Sequence, residues 1–203
     1  FNDAGGVYSN NTQGGVSFEN GTAGVTLTSS NISGSTAGKG LFADKIGGAV
    51  ALSGVNVSGN QTGIELDEVT GNITLKQEGT TKSTVNGNSG DGFVISSSST
   101  SSVSISDSEI AGNGGIGLKF SEIDGLSVTN SIVSLNNAGG AFVTDMTGSL
   151  VLTGSNFDGN DADQDGSGIG FQVVSSTPAT TKALKNGLTI TNTTFNGLEG
   201  IGG

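Results

Sequence analysis

The sequence predicts an all-β fold: a right-handed parallel β-helix, or β-solenoid, of about 7–8 coils with an internal Asn ladder. Two recurring patterns predict it. In the first, an apolar residue is followed three positions later by Asn: Val57 and Asn60, Val85 and Asn88, Ile110 and Asn113, Val133 and Asn136, Phe157 and Asn160. In the second, an apolar-x-apolar triplet precedes that apolar residue, as in Val25-Thr26-Leu27, Val50-Ala51-Leu52, Ile73-Thr74-Leu75, Val103-Ser104-Ile105, Leu126-Ser127-Val128, Leu150-Val151-Leu152 and Leu188-Thr189-Ile190. The two patterns keep step with a period of 23–25 residues through most of the chain.

The triplets alternate with period two, which makes each a short strand with one buried face. Apolar corner residues point inward, seven positions after the first member of a triplet at Ile32, Val57, Ile110, Val133, Phe157 and Phe195, and five later still at Val85. Counted in the same phase, Phe1-Asn2 and Phe195-Asn196 are further corners. A second strand opens behind Gly, at Gly63-Ile64, Gly92-Phe93, Gly117-Leu118 and Gly168-Ile169. Gly supplies backbone angles that a sharp bend requires. Strands this short cannot bury their faces alone, so coils stack and share a narrow core. Strand crossovers in parallel sheets are right-handed. An antiparallel sandwich is the rival, but it does not demand one Asn per turn at one phase.

The period is stretched after Phe1, before Val85 and between Phe157 and Phe195. Gln77–Thr81 adds five residues to one coil, and residues 161–187 hold the main loop insertions. Residues 1–203 read as a single solenoid segment of a longer chain, cut by whole coils or stacking end to end, because neither end shows a polar cap.

Composition narrows the function classes. The 203 residues include 37 Gly but no Cys, His or Trp, and every basic residue is Lys. A net charge of −11 argues against nucleic acid and anionic membrane, both of which require basic patches. Missing Cys excludes a disulfide framework. No apolar run approaches the ~18 residues of a membrane-spanning helix, and no signal-peptide pattern is present, so a mature, soluble segment is expected.

The Asn corners, with the triplets, resemble the right-handed parallel β-helix repeats of the pectin-lyase-like superfamily. In that family an Asn ladder often lines one corner, and Asn60, Asn88, Asn113, Asn136 and Asn160 hold the matching place. A buried amide must be hydrogen-bonded, and stacked amides can pair along their column. Gly47-Gly48-Ala49-Val50, Gly139-Gly140-Ala141-Phe142 and Phe157-Asp158-Gly159-Asn160 further resemble the GGA-apolar and Phe-x-x-Asn repeats of polymorphic autotransporter adhesins. That resemblance implies a passenger segment exposed at a bacterial surface. The superfamily's enzymes, as the resemblance implies, use Arg or Lys with an acidic calcium cluster, or a tight Asp group. The absence of Arg and His weighs against such chemistry.

Three candidate sites stand out. Asp161, Asp163 and Asp165, followed by Gly166, match the opening half of a calcium loop, in which alternating carboxylates converge on one hard cation. Gln172 stands where the bidentate Glu of such a loop would be, so Ca²⁺ binding is expected to be weak; an acidic surface loop is the plain alternative. Glu65 and Asp67 share the outer face of one strand, and Lys119 falls in nearly the same column two coils on, which allows a carboxylate–Lys arrangement or simply a solvated face. Outward Ser and Thr beside the triplets form a hydroxyl array resembling ice-binding solenoids, interrupted at Ala51 and Lys76.

The expected function is therefore a non-catalytic extracellular or cell-surface β-helix, an adhesin or structural stalk. Its partners would be a host-cell or glycan surface, or another copy end to end, with no nucleic acid and no membrane insertion. The alternatives are a polysaccharide-binding or polysaccharide-degrading β-helix of lyase or phage-spike type, and ice or mineral binding. Ca²⁺ is the one cofactor suggested.

Overall fold

A computed structural model describes residues 1–161, 168–176 and 187–196, and in them the chain winds as a parallel β-solenoid. Three sheets run its length, with eight, eight and seven strands among the described residues. Every third strand belongs to the same sheet, and all sheet pairings are parallel. One coil shows the plan: Ser102–Ser106 in the first sheet, Glu109–Ala111 in the second, Ile116–Ser121 in the third.

The triplets form the first sheet in unbroken register, Val25 against Val50, Ile73, Val103, Leu126, Leu150 and Leu188. Their apolar members face in and are buried from Val25 to Leu152. The apolar residues expected at corners sit instead at the centre of three-residue strands in the second sheet, as Val57 does in Asn56–Ser58. The third sheet adds inward Leu41, Ile64, Phe93, Leu118 and Ala141. Phe93 and Phe120 meet edge to face, and Phe157 stacks on Phe195 with centroids 5.3 Å apart. Apolar burial of this kind, at about 25 cal/mol per Å², is the dominant stabilising term.

Each coil turns three times, and each turn is one residue with positive φ. Between the first and second sheets these are Gly5, Ser29, Gly54, Asp107, Asn130, Gly154 and Asn192. Between the second and third they are Asn10, Gly34, Gly59, Gly87, Gly112, Leu135 and Gly159. After the third sheet they are Asn20, Lys45, Glu68, Ser97, Glu122 and Asp145.

The ladder Asn residues follow the second of these turns and are buried. From Asn88 to Asn160 each Oδ1 accepts twice from the preceding coil. Asn113 Oδ1 takes the Asn88 backbone N–H at 3.1 Å and the Asn88 Nδ2 at 2.9 Å. Asn88 serves Asn60, Asn136 serves Asn113, and Asn160 serves Asn136 in the same way. The second hydrogen of Nδ2 goes to a second-sheet carbonyl, Val85 O for Asn113 at 3.0 Å. The column continues to Ser35, whose N–H donates to Asn60 Oδ1.

The Gly residues opening the third-sheet strands are explained by this ladder and not by backbone angles. Gly63, Gly92 and Gly117 do not have positive φ. A Cβ on Gly117 would lie 2.6 Å from Asn136 Nδ2 and 2.8 Å from Gly140 O, and Gly63 and Gly92 face Asn88 and Asn113 equally closely. Positive φ belongs instead to the glycines just before the ladder Asn, Gly59, Gly87, Gly112 and Gly159, and to turn glycines elsewhere.

A second ladder escaped the sequence reading. Ser83, Ser108, Ser131 and Ser155 are buried at the first turn, two residues before the inward residue of the second sheet. Ser155 Oγ donates to Thr153 O at 3.1 Å and accepts the Ser131 N–H at 3.2 Å; Ser131 Oγ takes the Ser108 N–H likewise. Even where the column holds Val55, its N–H donates to Ser83 Oγ at 3.1 Å.

Two expectations about phase need correction. Asn2 pairs with Thr26, so Phe1-Asn2 lies in the first sheet, not at an Asn corner. The residue in corner phase is Tyr8, paired with Ile32, and there is no stretch in that coil. The extra residues before Val85 do project: Glu78 and Thr81 exchange two backbone hydrogen bonds of 2.9 Å around Gly79, a small bump over the first turn.

Candidate functional site

The outer faces of the three sheets differ in chemistry. In the third sheet, inward residues alternate with outward ones, so register stacks Ser17, Phe42, Glu65, Val94, Lys119, Phe142 and Gln172 in one outer column. Glu19, Asp44, Asp67, Ser96, Ser121, Thr144 and Val174 form the next.

Two ion pairs organise this face. Lys39 Nζ lies 2.7 Å from Glu65 Oε1 and 3.8 Å above the ring centroid of Phe42, holding ring and carboxylate together. Lys119 Nζ meets Asp91 Oδ2 at 2.9 Å, while Asp91 Oδ1 accepts the Ile116 N–H at 2.8 Å. Glu65 and Lys119 do share a column, but each is committed to a different partner. They are two coils, about 9.5 Å, apart, so the carboxylate–Lys arrangement suggested by the sequence does not form. Asp67 points outward beside Glu65 and accepts from Ser96 Oγ at 3.1 Å.

Asp161 is buried at φ 101° directly after the ladder, and its N–H donates to Asn136 O. Gly168 packs against its side chain, so the two ends of the acidic loop lie together. Asp163 and Asp165 lie outside the described residues. Among the described residues no three His, Cys, Asp or Glu side chains converge as a metal site. Gln172 faces outward in the Phe142 column.

The first sheet presents the hydroxyl array in register: Thr26, Ala51, Thr74, Ser104, Ser127, Val151 and Thr189 in one column, with Thr28, Ser53, Lys76, Ser106, Thr129, Thr153 and Thr191 beside it. Val151 joins Ala51 and Lys76 as an interruption. The second sheet carries an outer amide run, where Asn56 Nδ2 donates to Asn31 Oδ1 at 3.0 Å and Thr84 Oγ1 to Asn56 Oδ1 at 2.8 Å.

The sequence model of the family described as "Right handed beta helix region" matches residues 73–202. The chain belongs to this right-handed β-helix family. The fold is also similar to the crystal structure of the periplasmic alginate epimerase AlgG, with a TM-score of 0.67 and 12% identity over 93% of this chain. A mutant of that epimerase superposes equally well, with the same score and identity. This chain spans 44% of the epimerase chain. No curated protein sequence matches it. Similarity at 12% identity concerns the fold, and β-helices carry their chemistry in side chains grafted on it.

Proposed function

We propose that this chain is a non-catalytic, extracytoplasmic β-helix segment that binds polysaccharide along the outer face of its third sheet, as a surface adhesin would. The observation that carries the reading is the column from Phe42 to Phe142. Two half-buried rings stand four coils apart on one parallel sheet, with Glu65, Val94 and Lys119 between them. Aromatic faces pack on the apolar faces of sugar rings, while flanking charged groups accept and donate hydrogen bonds to hydroxyls. The strands hold these groups on rigid backbone. Similarity to a polysaccharide epimerase that is periplasmic supports both the ligand class and an extracytoplasmic location. Glu65 and Lys119, the charged residues of that column, are engaged in ion pairs, which suits binding better than proton transfer.

Affinity electrophoresis of the purified chain through gels containing neutral or acidic polysaccharides tests the proposal. Retardation is expected, and Phe142→Ala should weaken binding by about tenfold, the loss of one aromatic contact. Release of unsaturated or epimerised sugars on prolonged incubation would establish an enzyme instead.

A further inference from the structure

Asn followed by Gly is a chemically reactive pair. The Gly nitrogen can attack the side-chain carbonyl carbon of Asn, because Gly has no Cβ to shield it and its torsions are free. Five such pairs occur in the chain: Asn20-Gly21, Asn86-Gly87, Asn113-Gly114, Asn186-Gly187 and Asn196-Gly197. The last two extend beyond the described residues. The fold treats the first three differently.

Asn113 is buried and its amide is bonded at both atoms, Oδ1 to Asn88 and Nδ2 to Val85 O and Asn136 Oδ1. The nitrogen that would attack it, Gly114 N, donates to Asn88 O at 2.8 Å. Asn86 Oδ1 accepts the Ala111 N–H at 3.1 Å, and Gly87 N donates to Ala111 O at 3.1 Å. In both pairs a neighbouring coil holds the nitrogen and the amide in place.

Asn20-Gly21 lacks these restraints. Asn20 is exposed at the third turn with φ 56°, and its side chain makes no hydrogen bond to the described residues. The backbone is held on either side, where Asn20 N donates to Asp44 O at 3.0 Å and Gly21 O accepts the Gly47 N–H at 2.7 Å. Between these bonds, Asn20 O and Gly21 N have no partner among the described residues. The cause lies in the next coil. At the equivalent place two coils on, the Val69 N–H donates to Ser98 Oγ at 3.0 Å. The residue stacked on Gly21 is Ile46, whose side chain offers no acceptor.

We propose that Asn20 is a modification site, deamidated without an enzyme and with water as the co-reactant. Gly21 N bonds to Asn20 Cγ, the Cγ–Nδ2 bond breaks, and ammonia leaves with the proton from Gly21 N, closing a succinimide. Water then adds to one of the two ring carbonyls. Cleavage between Cγ and the ring nitrogen leaves aspartate. Cleavage between the backbone carbonyl carbon and that nitrogen leaves isoaspartate, with the chain routed through Cγ. No atom changes oxidation state. Aspartate sets a carboxylate in the groove that Lys45 and Glu68 also line. Isoaspartate adds a backbone atom between the bonds to Asp44 and Gly47, which loosens the first coil against the second. The charge of this turn thus changes as the molecule ages.

The test is to hold the purified chain at mildly alkaline pH and physiological temperature for several weeks, folded and in guanidinium chloride. Peptide mapping by tandem mass spectrometry then compares the three pairs. In denaturant they should react alike. In the folded chain Asn20 should convert within a few-fold of its denatured rate, while Asn86 and Asn113 are each slowed at least about tenfold by the local opening they require. Gly21→Ala should slow Asn20 by at least about tenfold, because its Cβ shields the nitrogen. That Cβ meets only the end of the Ile46 side chain at 3.2 Å, so the turn should hold. Asn20→Gly suits the positive φ and should remove one acidic band from isoelectric focusing of the aged chain. The site is refuted if folded Asn20 is protected as Asn113 is, if all three pairs react alike in the folded chain, or if a folded Gly21→Ala converts as fast as the parent. An unchanged set of acidic bands in Asn20→Gly would refute it as well.

Discussion

The second and third turns of the coil do the same geometric work by opposite means. Both reverse the chain with one positive-φ residue. At the second turn the next residue is Asn in five successive coils, buried and bonded to its neighbours above and below. At the third turn the residue changes identity from coil to coil, and an open groove of about 680 Å³, lined by Thr22, Ile46, Val69 and Thr100, lies along four successive loops of equal length. A column of mutual hydrogen bonds cannot tolerate a different member, because one missing partner strands polar groups in both adjacent coils. At the third turn the following position is also buried but mostly apolar, as at Ile46, Val69, Ile123 and Met146, so most of its members have no polar partner to satisfy. The solenoid therefore concentrates uniformity in one turn and leaves another free to vary in sequence.

Substitutions can break this contrast. The largest effect is expected for Gly117→Val, which drives side-chain atoms into Asn136 and the Gly140 carbonyl; a loss above about 4 kcal/mol, read as loss of the cooperative unfolding transition at room temperature, is predicted. Asn113→Ala comes next. It removes the acceptor of the Asn88 N–H and amide, and about 3 kcal/mol should be lost in urea titration. Ser131→Ala removes one ladder hydroxyl and should cost about 1–2 kcal/mol by the same measurement. Leu135→Gly runs the other way. Leu135 is exposed with φ 56° at a turn where Gly59, Gly87, Gly112 and Gly159 serve the neighbouring coils, so relief of strain of about 1 kcal/mol should roughly offset or exceed the added chain entropy of Gly. A melting point clearly below the parent's would show that the Leu side chain contributes packing. Glu68→Gln at the third turn should leave stability within about 0.5 kcal/mol. A large loss there would erase the distinction between the two turns.

The sequence displayed the winding because inward positions admit so few residue types. Val, Ile, Leu and Phe recur where three sheets meet, and Asn recurs where an amide must bond in two directions. The Ser column stayed hidden because Ser is common everywhere in this chain, so Ser83, Ser108, Ser131 and Ser155 did not rise above their surroundings; their fixed distance to Val85, Ile110, Val133 and Phe157 was the available signal. Phe1-Asn2 misled for the converse reason. It mimics the Phe195-Asn196 pair while sitting on another sheet, and only strand pairing separates the two. The candidate faces were least visible. Outward positions are not selected by packing: spacing put Glu65 and Lys119 in nearly one column, but strand register was needed to add Phe42 and Phe142, and side-chain geometry to show that Lys39 and Asp91 claim the charges. The groove was invisible, because its lining residues come from four separate coils.

The two internal ladders also share a sense. Bonds between ladder neighbours have their hydrogen on the earlier coil and their oxygen on the later one, in Asn88 to Asn113 as in Ser108 to Ser131. Dipoles so arranged add instead of cancelling, as peptide dipoles do in a helix. Each column of neighbour bonds is thus directional along the axis. Any coil laid on its later side must present oxygen to waiting N–H groups, and any coil on its earlier side must present N–H to waiting oxygen.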